Sequence, residues 1–335
     1  MAPASSVKAL CASFSGAASP PPAQEMRITH GIVPKGRFRR PPDQPSLPQT
    51  GTDHLPFLRE KNGSLSPHKL IAFTGCCLPA LYLFGKMLGG ELGPEPLKYL
   101  THQTGDWSLR LLFISLCVTP ARRLFNAPKW INTRRTFGFG AFLYAMTHAI
   151  IYVIDQSFDF TVVAREIAAR IYLIIGMFAL VGFFFLGITS TDRMIRYMSG
   201  PRWNRLHRIT YLIAILSVIH FTMQKKLNIY EPTWMAGLLA WLLFYRSMQK
   251  RVDNIGVLHL IALAVAATLF TVLVEALWYG TMTGVDWRRV RAANPPFPEH
   301  IRPAWVGLFV SLGITAAAVI AQRLWPRERA REKLR

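Results

Sequence analysis

Residues 134–155 read RRTFGFGAFLYAMTHAIIYVID: two arginines, then an apolar run whose ionisable side chains before the closing Asp155 are Tyr144, His148 and Tyr152. At about 1.5 Å rise per residue, a run of some twenty residues matches the roughly 30 Å hydrocarbon core of a bilayer. The stretch therefore reads as a membrane helix that begins at a basic end. A histidine deep inside such a helix costs free energy to hold, which makes His148 a functional candidate.

Working outward, the same window size finds seven further apolar runs, so that eight spans are predicted: about 70 to 89, 107 to 121, 136 to 155, 170 to 188, 208 to 224, 232 to 248, 256 to 279 and 304 to 325. The second is short and carries Arg110 near its start, and the fifth is interrupted by His220. The composition agrees. A chain of 335 residues with 51% hydrophobic and only 17% charged residues is too apolar for a soluble enzyme.

The net charge of +21 would suggest a nucleic-acid binder in a polar chain. Here the positive residues flank apolar runs, so they read as topology signals and no nucleic-acid partner is expected. Arg122, Arg123, Lys129, Arg134 and Arg135 follow the second span, Arg193, Arg196, Arg202, Arg205 and Arg208 follow the fourth, and Arg246, Lys250 and Arg251 follow the sixth. The alternate loops carry fewer, apart from Arg288, Arg289, Arg291 and Arg302 before the last span. The positive-inside rule then predicts a cytoplasmic N-terminus and a multi-pass protein of the bacterial inner membrane, in contact with lipid.

Three segments are expected: a disordered, Pro-rich basic tail over 1–68, a six-helix domain over 69–250, and two additional helices with a basic tail over 251–335. The N-terminal tail lacks the apolar segment of a cleavable signal peptide, and the short C-terminal tail leaves no room for a nucleotide-binding domain. The four cysteines (Cys11, Cys76, Cys77, Cys117) form no C-x-x-C and give neither a disulfide framework nor a zinc site.

His148 and His220 each lie about 12 to 14 residues into helices that start on the same side, roughly 18 to 21 Å deep. Two imidazoles at equal depth on parallel helices are what axial ligation of one haem iron needs. Separate interhelical hydrogen bonds would also account for them. His207 precedes His220 by about 20 Å along a helix and cannot share its iron. It is a candidate for a second haem or a flavin contact, or an interfacial residue among arginines, and His259 is the visible candidate partner. Without C-x-x-C-H, any haem is b-type. Gly138-Phe139-Gly140 has no preceding strand and is no dinucleotide fingerprint; it is expected to give a flat macrocycle access to the helix backbone. Glu275 reads either as a proton-handling group or as an interhelical hydrogen-bond partner. His102 is assigned no role.

Taken together, Thr119-Pro120, Asn132-Thr133-Arg134-Arg135, His148, Thr189-Ser190-Thr191, Arg202-Trp203, Leu206-His207 and His220 resemble the MsrQ/YedZ family of the ferric-reductase-like transmembrane superfamily, over roughly residues 70 to 250. The resemblance implies an all-α integral membrane fold with a six-helix haem-binding bundle, one or two b-type haems and an FMN. His148, His220 and His207 would be metal ligands. Arg134, Arg135, Arg202 and Arg205 would contact the flavin phosphate, or act only as topology determinants. It further implies electron transfer from a cytoplasmic flavin reductase or quinone to a periplasmic molybdopterin subunit, MsrP, which reduces methionine sulfoxide; catalysis then lies on the partner. The chain departs from the family in its two added spans, and from two-haem members of the superfamily in having Arg134 and Arg135 where a second helix-three histidine would stand. The rival readings are a cytochrome b subunit of a ferric or oxygen reductase, and a non-redox transporter, against which no repeat between halves is found.

Overall fold

The computed structural model describes residues 66–226, 228–252, 254–294 and 301–324. Among these the chain is helical without strands: α1 (Pro67–Leu88), α2 (Pro96–Leu124), α3 (Arg134–Asp155), α4 (Phe160–Ala169), α5 (Ile171–Ile188), α6 (Asp192–Met198), α7 (Gly200–Leu206), α8 (Thr210–Lys225), α9 (Tyr230–Gln249), α10 (Val257–Met282), α11 (Trp287–Ala292) and α12 (Pro303–Leu324), with a 3-10 segment over Pro128–Thr133. The predicted disordered tail lies outside the described residues up to position 65, and its last two positions, Pro67 and His68, already belong to α1. The basic C-terminal tail also lies outside them.

Each of the eight predicted spans falls on one of the long helices α1, α2, α3, α5, α8, α9, α10 and α12. Six helical segments are long and apolar enough to cross a membrane on composition alone, and α2 and α9 are the two long helices that are not among them. The reason is their position. About half of each is buried, including Leu111 on α2 and Trp241 and Tyr245 on α9, so packing rather than lipid selects their side chains. A helix surrounded by protein can carry polar residues that a lipid-facing helix cannot. The α2 helix begins eleven residues before the predicted start at 107, and Thr101, Thr104 and Asp106 are buried in that extension.

Polar side chains on α2 fasten its neighbours. Ser108 Oγ donates to Ala141 O and Ser115 Oγ to Arg134 O, both at 2.9 Å, which sets the register of α2 against α3. Such interhelical bonds contribute about 0.6 kcal/mol each in membranes. Arg110 is held by Glu231 of α9 at 2.6 Å and lies over the Trp107 ring, so its charge is answered inside the bundle. Tyr144 OH donates to Cys76 O of α1 at 2.9 Å. Outward faces of α1, α5 and α10 expose Ile71, Leu81, Phe178, Phe185, Leu269 and Leu273, as a lipid-facing surface requires.

The last two long helices are fastened by a buried carboxylate. Glu275, 3% exposed, accepts from Arg302 Nη1 at 3.1 Å and from Asn294 Nδ2 at 3.0 Å, joining α10 to the segment that leads into α12. Of the two sequence readings of Glu275, the structural one is what this geometry provides.

Candidate functional site

The α3 and α8 helices both start at the arginine-rich end of the bundle and carry His148 and His220 to facing positions. The two ring centres are 6.4 Å apart, with the ring planes at 85°. Each Nδ1 lies 2.7 Å from a backbone carbonyl, Thr101 O on α2 for His148 and Tyr172 O on α5 for His220. A carbonyl oxygen can only accept, so each Nδ1 carries the hydrogen and each Nε2 keeps a free lone pair. Imidazoles that ligate a metal are commonly oriented in this way by a backbone carbonyl.

The spacing fits one iron. With metal–nitrogen bonds of about 2 Å, two imidazoles placed on opposite sides of one metal have ring centres roughly 6 Å apart. Separate interhelical hydrogen bonds, the alternative left open by the sequence, explain the carbonyl contacts but not two rings set at ligation distance from each other.

Two glycines make this placement possible. A Cβ built on Gly105 of α2 would stand 3.0 Å from His148 Nδ1, and one on Gly176 of α5 would stand 2.7 Å from His220 Nδ1. Both histidines line a cavity of about 990 Å³ that also takes in Ala145, Ala149, Ala179 and Phe183. Cofactor pockets typically run to about 1,000 Å³ with mostly apolar walls and few polar groups. Small residues on facing helices leave a slot suited to a flat macrocycle. At the end away from the arginines the lining becomes polar, with Lys98, His102, Asp106, Tyr152, Arg170 and Gln224.

The glycine pair expected to serve this purpose does not. A Cβ on Gly140 would stand 2.7 Å from Cys76 Sγ, and one on Gly138 would stand 3.4 Å from Ser115 Oγ. Both mark close helix approaches, of α3 to α1 and to α2, and neither lines the cavity. Conversely, His102 lines the cavity with its Nε2 2.7 Å from Gln224 Nε2. Sequence reasoning passed over it because the predicted span began after it.

His207 is placed differently. It stacks on Trp203 with centres 3.8 Å apart, its Nε2 is 3.4 Å from Ser190 Oγ, and its Nδ1 is 3.2 Å from Trp203 O. Trp203 Nε1 in turn donates to Thr189 O at 2.8 Å, so the tryptophan and histidine are held against the turn after α5. His259 Nδ1 accepts from Gly256 N at 3.3 Å and so serves the start of its own helix. The four arginines expected around a flavin phosphate are dispersed. Arg135 pairs with Asp192, Arg134 is half-buried within electrostatic range of His207, and Arg202 and Arg205 are exposed on α7.

Residues 104–218 match the family described as ferric reductase like transmembrane component. That range takes in Gly105, His148, Gly176 and His207 and stops just before His220. The chain is 37% identical over 179 residues to the protein-methionine-sulfoxide reductase heme-binding subunit MsrQ of Rhodospirillum rubrum, covering 53% of this chain and 86% of that relative. To the subunit of the same name in Rhizobium meliloti it is 38% identical over 175 residues, 52% of this chain and 80% of the relative. The Caulobacter vibrioides subunit is 33% identical over 182 residues, 54% and 87% of the two chains. No solved structure matches the chain.

Proposed function

The chain belongs to the MsrQ family of heme-binding membrane subunits, and from that premise we propose that it conducts electrons across the inner membrane through one b-type haem held by His148 and His220. The observation that carries this reading is the pair of imidazoles 6.4 Å apart with both Nδ1 atoms engaged by carbonyls. A haem bound there supplies a one-electron iron couple. The residues of the chain do the rest. Thr101 O and Tyr172 O fix the tautomer and the ring angle of each ligand, Gly105 and Gly176 let those rings approach the backbone, and the apolar walls exclude water from the slot.

On this reading the pair lies toward the outer side, and the electron acceptor is a periplasmic MsrP-like molybdopterin subunit that repairs oxidised methionine in proteins. Electrons arrive at the arginine-rich side from a flavin reductase or quinone. His207, stacked on Trp203, is the group next to which an FMN would sit, with Arg134 and Arg135 nearest to it and Arg202 and Arg205 at the surface. A transporter role has no use for two imidazoles set at ligation distance.

The test is a reduced-minus-oxidised spectrum of the purified full chain together with its pyridine haemochrome. The wild type is expected to show a b-type alpha band, and His148→Ala and His220→Ala each to keep less than about a tenth of the haem, because each would remove one of the two imidazoles that would hold the iron. Normal haem content in either variant overturns the assignment.

A further inference from the structure

At the arginine-rich end, three helices that meet below the haem slot bring together donors with nothing to donate to. On α2, Thr119 Oγ1 and Arg122 Nε are buried without a hydrogen-bond partner; on α8, Tyr211 OH; on α9, Arg246 Nη2 and Gln249 Nε2. Their spacing is regular. Thr119 and Arg122 are three apart on α2, and Arg246 and Gln249 are three apart on α9, so each pair shares a helix face. Arg246 lies with its guanidinium 4.9 Å from the centre of the Tyr211 ring and within electrostatic range of Arg122, Arg123 and Arg134.

Gathering guanidinium groups in a half-buried place is unfavourable unless an opposite charge answers them. Among the described residues Asp192 is the acid at this end, and it is engaged with Arg135. At the other end of the bundle the arrangement is the reverse, with Arg110 on Glu231 and Arg170 on Glu166. Topology alone does not require this arrangement: the positive-inside rule counts charges near the membrane and is served equally by exposed residues such as Arg202 and Arg205. The cluster asks for an anion with several acceptor oxygens on one centre. A phosphate group meets that need, and planar guanidinium forks bind it through paired N–H donors.

We propose that Arg122 and Arg246, with Tyr211, Gln249 and Thr119 around them and Arg134 beside them, form a binding site for a phosphate group carried by an anionic lipid headgroup or by a soluble phosphate compound. Basic pockets between transmembrane helices at the cytoplasmic face are suited to such headgroups. The site is separate from the His148 and His220 pair, and nothing in it depends on haem being bound.

The experiment measures thermal unfolding of the full chain by tryptophan fluorescence, in nanodiscs of phosphatidylcholine alone, of phosphatidylcholine with phosphatidylglycerol, and of phosphatidylcholine alone with inorganic phosphate titrated in. A ligand that binds only the folded state raises its unfolding temperature with a saturable dependence on concentration. A rise with phosphatidylglycerol identifies a headgroup, and a saturable rise with inorganic phosphate identifies a soluble source. In the variant Arg122→Gln with Arg246→Gln the rise is expected to disappear. Tyr211→Phe removes one hydroxyl donor and keeps the ring under Arg246, so it should weaken phosphate binding about three- to tenfold while folding normally. The proposal is overturned if neither additive stabilises the wild type, or if the stabilisation survives in Tyr211→Phe and in the double glutamine variant alike. Haem content, read separately, reports on His148 and His220, so failure of one reading leaves the other visible.

Discussion

At His148 and His220 the ring nitrogens not needed for ligation each have a fixed carbonyl partner 2.7 Å away, whereas at the arginine-rich end His207 lies flat on Trp203 and the donors around Arg122 and Arg246 are unanswered. For the proposed haem the first region is pre-organised: both imidazoles are already oriented by carbonyls, so that reorganisation on binding would be small. The second is poised around missing negative charge. A rigid slot suits a group that stays bound while electrons pass through it, since small reorganisation favours rapid exchange. A basic rim suits ligands that exchange, or a lipid surface. The variants below probe how far the two regions are independent.

The largest effect short of removing a ligand is expected at the glycines. Gly176→Val would drive a branched side chain into His220, whose Nδ1 already lies 2.7 Å from where a Cβ would stand. Haem content should fall nearly as far as in His220→Ala. Gly176→Ala should lose about half of it, and Gly105→Ala less, because there the corresponding distance is 3.0 Å. Each is measured as haem per protein by pyridine haemochrome. Equal, wild-type haem in all three would mean that the rings are not held by these close approaches.

A smaller effect, confined to the other region, follows for His207. His207→Ala should leave haem content within about a tenth of normal, since its Nε2 is directed to Ser190 and its ring to Trp203. Reduction from the arginine-rich side should slow in proteoliposomes. Ser190→Ala removes only the 3.4 Å contact and should have a weaker effect of the same kind. Loss of half or more of the haem on replacing His207 would make it a ligand in its own right and merge the two regions into one redox chain.

Six of the eight helices were legible because hydropathy reports lipid exposure, α2 and α9 only because their apolar core-facing residues also fill a window, and the two histidines because equal depth on parallel helices is a matter of counting. The length of α2 was not. Thr101, Asp106 and His102 are polar, and their tolerance inside the bundle depends on α3, α8 and α9 closing over them, which no window along one chain can see. The same limit misassigned the glycines. Gly138 and Gly140 drew attention as a Gly-x-Gly at the start of the helix that carries His148, yet the ring is approached by Gly105 from another helix. An interior glycine costs a helix about 1 kcal/mol relative to alanine, so Gly105 and Gly176 were detectable as anomalies, but not as partners of a particular imidazole. Arg122 and Arg246 were read as topology signals because their convergence depends on α2 and α9 meeting.

The smallest expected effect on haem comes from the part of the chain beyond the family-like bundle. The residues lining the slot run from Pro94 to Lys226, with none from α10 or α12. A chain ending near Lys250 should therefore insert and keep its haem-to-protein ratio, because each remaining helix satisfies its own backbone and the basic loops remain. Stability should fall. The α10 and α12 helices cover buried residues of α9, Gly237 packs against Thr271 closely enough that a Cβ there would overlap the hydroxyl, and Gln322 Nε2 donates to Leu124 O of α2 at 3.1 Å. Within the full chain, Glu275→Gln should lower the unfolding temperature by a few degrees without changing the Soret band, since it weakens the tie to Arg302 and Asn294 and Glu275 does not line the slot. If truncation removed the haem while Glu275→Gln left it intact, α9 would be the link: its contact with α2 carries Arg110 and Glu231, and α2 carries both the Thr101 carbonyl and Gly105 that seat His148. The added helices would then count as part of the haem-bearing core, and the boundary at residue 250 would have to be moved to the end of α12.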